Sequence, residues 1–263
     1  TRTIAYGSLE HERVWSAFVR RAEPHEARVG KVTAELMRRQ KRSVLARLNN
    51  QRGHSTRDVA EIADDPFDMP KWVKQARTTI RPVLTEIVRD AGGSALTDLG
   101  LEIAFDVNDP NVTQFLIQRS QRFAVEVNAT TYTNLQDSLK AGIEAGESID
   151  ELAARVETVM GDRIRSSATT IARTETIGAS NGGTLMSWEQ AEVVSGKEWI
   201  AALDDRTRET HAGAHGQQRA MNENFDVGDG SGPHPGAMGD PAEDINCFPG
   251  DAIVYAEDIQ VGM

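Results

Sequence analysis

Asp204, Arg206 and His211 fall within eight residues, in "DDRTRETH" from Asp204. A carboxylate, a guanidinium and an imidazole are the side chains a hydrolase or nuclease uses for proton transfer and charge stabilisation. His211 and His215 are four apart, the spacing of one helix face, and His234 and Cys247 would complete a metal-ligand set of a type that binds zinc. Glycines flank His215, and His234 lies in a Gly/Pro-rich stretch, so the spacing alone does not fix four ligands in place. The same residues support a structural reading. Arg206 and Arg208 offer forked donors beside Asp204, Asp205 and Glu175, and a network of charge-assisted bonds would hold a small domain together. An Arg173 contact to one of those carboxylates would tie a helix to a strand. The structural reading is preferred, with no metal and no cofactor expected.

These residues must be positioned by the elements around them. From 194 onward the pattern is mixed. "KEWIAAL" reads as a strand, "DDRTRETHAGA" as a turn and short helix, "ENFDV" as a short strand, and "GDGSGPHPGAMGDP" as a loop. Upstream the chain is helical by period. Residues 8–22 form one expected helix, with Leu9, Val14, Trp15, Phe18 and Val19 apolar. A second starts at Pro24, a first-turn proline, with a stripe of Val29, Val32, Leu36, Val44, Leu45 and Leu48. A third runs from about 70 to 90 with Pro82 inside it, and "AGGSALTDLG" is a break. "LEIAFDV" is a candidate strand. Asp109-Pro110 starts a helix that ends near Val125, and "NATT" caps the next. Ser148 and Glu151 form a capping box ahead of Leu152, Val156 and Val159. The fold class is a mainly α N-terminal region with a small α+β C-terminal domain.

The totals agree. At 263 residues the chain holds one large domain or two ordinary ones, and 5% aromatic content suits helical packing better than a large β core. No apolar run approaches the ~18 residues of a membrane span, so no membrane partner is expected. No signal-peptide pattern opens the chain, and a lone cysteine fits a reducing compartment. The chain opens on Thr1 rather than Met, as expected of a processed chain or a piece of a longer one. Residues 1–90 hold 18 Lys and Arg against 12 Asp and Glu, whereas 91–263 hold 11 against 28. Within "LMRRQKRSVLARLNNQRGHSTR" (36–57) there are seven cations and no acid. Arg38, Arg39, Lys41, Arg42 and Arg47 are the candidate contacts to phosphates or to an acidic partner. The alternative is a solvated helix face, since no aromatic is interleaved to stack on bases.

Read in order, "ARTE" at 172–175, the Trp199 strand, "DDRTRETH", "HGQ", "PHPG" and "INC" resemble the phage Mu protein F-like family of minor capsid or head-morphogenesis proteins. The resemblance covers about residues 100–247 well and 1–100 weakly. The positions that carry it are Arg173, Thr174, Glu175, Trp199, Asp204, Arg206, Thr207, Arg208, His211, Gly216, Gln217, Asn246 and Cys247. It implies a non-enzymatic role in procapsid assembly and in DNA packaging or delivery near the portal. The implied partners are portal and capsid or scaffolding proteins, with packaged DNA as a further contact. The implied location is the interior of the virion, after assembly in the host cytoplasm.

The family closes on Asn-Cys-Arg-Cys, and this chain departs from it with Asn-Cys-Phe-Pro-Gly-Asp. "CFPGDAIVYAEDIQVGM" resembles the first block of an intein, or more broadly of a Hint self-processing domain. In that chemistry the Cys247 thiol attacks the carbonyl of Asn246 and converts the peptide bond to a thioester. A full module would need downstream residues, so 247–263 reads as a truncated start that does not splice alone. The expected organisation is therefore 1–95, a helical portal-proximal or partner-binding region; 96–246, the head-morphogenesis domain; and 247–263, the intein-like start. The competing functional classes are a head-carried enzyme, of nuclease or toxin type, and a Hint autoprocessing protein.

Overall fold

The structure is a computed structural model, and it describes residues 5, 7–52, 56–202, 204, 205, 207–245 and 252–259; at 56–58, and in 252–259 apart from Ala256, the backbone alone is described. Arg206, Asn246 and Cys247 lie outside the described residues.

Six helices account for most of the chain: α1 (Leu9–Asn50), α2 (Thr56–Asp64), α3 (Met69–Asp98), α4 (Pro110–Glu144), α5 (Ile149–Asp162) and α6 (Ala168–Ala191). A five-residue π-helical segment, Arg163–Ser167, precedes α6. Then come β1 (Val194–Ala201), α7 (Glu209–Ala214), β2 (Gln218–Ala220), β3 (Phe225–Val227), β4 (Gly230–Gly232), α8 (Pro241–Asp244) and β5 (Ala252–Ile259). The mainly α region and the small α+β domain are both present.

The chain divides into two compact units that interleave in sequence. One comprises Thr1–Val29, Pro82–Leu116 and Thr170–Met263; the other comprises Gly30–Arg81 and Ile117–Thr169. In the second, Leu36, Met37, Val44, Leu48, Ile80, Phe123 and Leu135 are buried. Phe67 packs edge-on against Trp72 and Tyr132, with centroids 6.4 and 5.4 Å away. The first unit holds the sheet. β2 and β5 flank β1, both antiparallel to it, with Trp199 opposite Val254 and Gly196 opposite both Ala220 and Glu257. A separate β3–β4 pair sets Phe225 opposite Gly232. Trp199, Phe225, Val227, Trp188, Leu185 and Met238 form its main core, and Phe18, Ala22, Ile177 and Ile200 form a smaller one.

Several helix boundaries differ from the sequence expectation, each for a reason seen in the packing. Residues 8–22 and 24–48 are one helix. Pro24 lies inside α1 because the buried stripe runs unbroken past it, through Phe18, Ala22 and Val29. Leu9, expected on the apolar side, is 85% exposed. The "AGG" break is absent: α3 continues through Gly92 and Gly93, and at Gly92 a Cβ would sit 2.5 Å from the Phe105 ring. That glycine answers a close approach, not a turn. "LEIAFDV" forms no strand; its backbone is held at Asp106, whose N–H donates to Gln190 Oε1 and whose carbonyl accepts from Gln190 Nε2, both 3.0 Å.

Asp109 does cap α4, accepting from the Asn111 N–H at 2.7 Å with Pro110 in the first turn. The helix does not stop near Val125. Asn128 is buried mid-helix, where Nδ2 donates to the Ala124 carbonyl at 2.6 Å and Oδ1 accepts from Gln40 Nε2. Its side chain meets a partner on α1 and so has no need to cap. The Ser148–Glu151 capping box forms as expected, with Leu152 and Val156 buried behind it and Met160 in the place expected of Val159.

Candidate functional site

Of the residues singled out by sequence, Trp199, Asp204, Thr207, Arg208, His211, Gly216 and Gln217 lie on or beside β1 and α7 in the first unit. Trp199, in β1, is fully enclosed, with His211 and Phe225 each 5.4 Å from it and nearly perpendicular. Gly216 supports this arrangement through its backbone: φ is +77°, a region L-residues avoid, and its N–H donates to the Trp199 carbonyl at 2.8 Å. Gln217 then bonds to both strands, besides donating its own N–H to the Ala214 carbonyl at 2.9 Å. Its carbonyl accepts from the Trp199 N–H at 2.9 Å, Nε2 donates to the Asp226 carbonyl at 3.1 Å, and Oε1 accepts from the Asp226 N–H at 2.9 Å. The Gly-Gln pair thus clamps β1 to β3.

Asp204 and Thr207 form a turn. The Asp204 N–H donates to Thr207 Oγ1 at 3.2 Å, and that hydroxyl donates to Asp204 Oδ1 at 3.1 Å. Arg208 flanks α7 at its N-terminus and bonds the Ile245 carbonyl through Nη2. Arg173 is a correction. Its Nε donates to Glu26 Oε1 at 3.2 Å, an ion pair that ties α6 to α1, a helix-to-helix tie where one from helix to strand was expected. Burial raises the Glu26 carboxyl above its usual range, and Arg173 partly offsets the shift. Thr174 bonds the Thr170 carbonyl along α6, and Glu175 is buried on the same helix.

The acids that organise the domain were missed in the sequence. Glu243 and Asp244 sit on α8, a single turn capped by Asp240 with Pro241 in its first position. Glu243 Oε2 accepts from Thr210 Oγ1 at 2.9 Å and lies 3.0 Å from His211 Nε2. Asp244 accepts from the Met238 and Gly239 N–H groups at 2.7 and 3.2 Å. The Asp-Pro start was a legible helix signal, but a four-residue helix leaves no periodicity to find. His11 is a second omission: Nε2 lies 2.8 Å from the Ala201 carbonyl, 190 residues away in sequence. No local pattern announces such a pair. The third is Lys197, fully buried in β1, with Nζ donating to the Pro233 carbonyl at 2.9 Å and standing 5.2 Å above the Phe225 ring. Burial pushes its amine down to about 8, opposed by Glu189 and Glu223.

Among the described residues the alternative set of His211, His215 and His234 is not brought together, and its fourth member, Cys247, lies outside them. His215 follows α7 instead of sharing a face with His211, and its Nδ1 accepts from the Ala201 N–H at 3.1 Å. His234 Nδ1 lies 2.9 Å from the Pro235 carbonyl. Burial and Arg208 lower His211 below its ordinary value, against the pull of Glu243. A neutral imidazole beside a carboxylate has the composition of a base and its orienting acid, but His211 is fully enclosed. Among the described residues, His25, Glu86 and Asp90 are the one group whose ligand-type atoms lie within 4.8 Å of each other. There Arg28 already pairs with Glu86, and His25 Nε2 stands 3.1 Å from Asp90.

The basic run lies on α1, and most of its cations are engaged. Arg38 and Arg42 pair with Glu35 at 3.7 and 3.1 Å, Lys41 pairs with Glu157 at 2.7 Å, and Arg47 donates to the Asp65 carbonyl at 2.6 Å. Arg39 makes no ion pair or hydrogen bond among the described residues; Glu35 feels it only at longer range.

Against known proteins, residues 133–248 match the family described as Phage Mu protein F like protein. The chain is 35% identical over 131 residues to the minor head protein GP7 of Bacillus phage SPP1, covering 49% of this chain and 42% of that protein. It is 27% identical over 144 residues to the NAD(+)–arginine ADP-ribosyltransferase EFV of Enterococcus faecalis, covering 54% of this chain and 28% of that protein. The chain thus spans less than half the length of either relative. No solved structure matches it.

Proposed function

We propose that this chain serves as a minor head protein of a tailed phage, acting in head morphogenesis. The observation that carries the reading is the family match over residues 133–248, which contains the Arg173–Glu175 helix, the Trp199 strand and the Gly216–Gln217 clamp. The site geometry is consistent with it. The residues that carry the resemblance are mostly spent on holding β1, α7 and α8 together, as a load-resistant assembly module requires. No described helix is long and apolar enough to cross a membrane.

On this reading the protein joins the procapsid near the portal, contacts portal and capsid or scaffolding proteins, and acts in DNA packaging or delivery from inside the virion. The test is mass spectrometry of purified procapsids and heads, with a null mutant of the gene beside the wild type. The protein in both particles, and defective or poorly infective heads without it, is the expected result. Its absence from both particles, or normal infective heads in the null mutant, would overturn the proposal.

The ADP-ribosyltransferase relative gives a second reading some footing. A stretch shared by a head protein and a transferase is best understood as a common module, since it covers 28% of the transferase. Transfer of ADP-ribose from NAD+ to an arginine-rich acceptor by this chain would favour a head-carried enzyme. For the C-terminus, we infer that Cys247 opens an intein or Hint module, from the Cys-x-Pro-Gly-Asp sequence and the apolar run after it. The family match runs through the same cysteine, so the two origins compete for one residue. A Thr-x-x-His block and then His-Asn-Cys with Arg-Cys after it, encoded downstream, is the expected finding; a downstream sequence without them would remove the intein.

A further inference from the structure

We propose that Arg39, Lys71 and Lys74 form a phosphate-binding site in the unit built from Gly30–Arg81 and Ile117–Thr169. The three cations line one concavity of about 580 Å³, together with Asp68, Gln75, Thr78 and Thr79. The argument starts from elimination. Of the five cations expected to meet phosphate, Arg38, Lys41, Arg42 and Arg47 are held by Glu35, Glu157 or the Asp65 carbonyl. Arg39 alone is left without such a partner, and its buried Nε donor has no acceptor. With no carboxylate paired to it, the guanidinium keeps its other forked donors for an oxyanion.

α3 supplies the rest. Lys71 and Lys74 are three residues apart, hence on one face, and both are exposed. Neither ammonium has an ion pair or hydrogen-bond partner among the described residues. The only carboxylate in the concavity, Asp68, accepts from the Lys71 main-chain N–H at 3.0 Å. The hydroxyls of Thr78 and Thr79 donate back to the Lys74 and Gln75 carbonyls, at 2.9 and 2.7 Å. The first turn of α3 carries no acid. Lys71 stands in the first turn of α3, a position unfavourable to a cation, with Lys74 one turn further along the same face. Three cations against one carboxylate leave an excess of positive charge facing a recess of suitable size for a phosphate group.

The phosphate can come from a polynucleotide backbone or from free anion. Its assignment to packaged duplex rests on the head-protein reading; the site itself does not. The test uses the full chain and two probes, inorganic phosphate and a 20-base-pair DNA duplex. Binding is followed by amide shifts at Lys71, Lys74 and Gln75 and by affinity over a salt series. Lys71→Ala/Lys74→Ala and Arg39→Gln are compared with Arg38→Ala and Arg42→Ala, whose cations are already paired. Shifts confined to the site, about tenfold weaker duplex binding by the double variant, and a salt slope reduced by about two are expected, with the paired-cation variants near wild type. Site shifts with phosphate but no duplex binding would support the site and identify its ligand as the free anion. No shift with either probe, or equal losses in all four variants, would overturn it. Head incorporation of the double variant reads the assembly role separately.

Discussion

His211 Nε2 stands 3.0 Å from Glu243 Oε2, with both side chains withdrawn from solvent. The pair joins α7 to α8, and Thr210 binds the same carboxylate oxygen. Removing the acid leaves the buried imidazole without its carboxylate and the Thr210 hydroxyl without its acceptor. Glu243→Ala is expected to lower unfolding free energy by about 2–4 kcal/mol. Urea denaturation with an unchanged slope would be the measurement, and a loss below the error of the midpoint would contradict the role.

The same pair fixes a direction with pH. Burial and Arg208 lower the His211 pKa in the folded state, so the unfolded chain binds that proton more readily. Stability from this group is therefore full above the ordinary histidine value of about 6.5 and falls as pH drops below it. His211→Gln is expected to be less stable at pH 7.5 yet to lose less between pH 7.5 and 5. Thermal melts across that range distinguish a flattened profile from a parallel one.

Lys197 gives the opposite end of the scale. With a folded pKa of about 8 against an ordinary 10.5, the folded protein releases this proton first. Its contribution to stability rises as pH climbs from about 8 to 10.5 and is flat below 8. Lys197→Met is expected to abolish that rise. At pH 7 it should be neutral or stabilising by about 1–3 kcal/mol, since relief of a buried charge opposes loss of the Pro233 bond. Urea midpoints at pH 7 and pH 9.5 for both proteins are the check.

Two glycines should respond differently to a methyl group. At Gly232 a Cβ would meet the Ala237 carbonyl oxygen at 1.9 Å, which is main chain and cannot swing away. At Gly92 it would meet the Phe105 ring, which can turn, and alanine is the better helix former. Gly232→Ala is expected to lose more than about 3 kcal/mol or fail to fold, and Gly92→Ala to change stability by about 1 kcal/mol or less. Melting temperatures in the reverse order would refute this account of both sites.

Ser148 accepts from the Glu151 N–H and Glu151 returns a bond to the Ser148 N–H, at 3.3 and 2.7 Å. Ser148→Ala is expected to cost about 1 kcal/mol. Amide exchange should speed up in the first turn of α5 and not elsewhere.

Features with a local cause were readable from sequence. The Asp109-Pro110 start, the Ser148–Glu151 box and the Trp199 strand follow from neighbouring residues, and all three form. What sequence misplaced depended on distant partners. Pro24, Gly92 and Asn128 look like breaks or caps, yet each lies inside a helix whose packing continues past it. The charged start of "KEWIAAL" gives no hint that Lys197 and Glu198 are both buried, because β1 lies between β2 and β5 with elements packed about it. At the candidate site, Trp199, Gly216 and Gln217 were found by resemblance, while Glu243 and His11 became visible only through contacts made across the fold.

β5 meets β1 along a register that runs from Ala252 opposite Ala201 to Ile259 opposite Val194, at the border of its sheet. A strand held at a sheet border by one long ladder can be supplied in trans. Nicking the chain between Ile245 and Ala252 should therefore yield a larger fragment that recaptures a synthetic 252–259 peptide, which would convert the sheet border into an addressable tag for fluorophores or affinity handles.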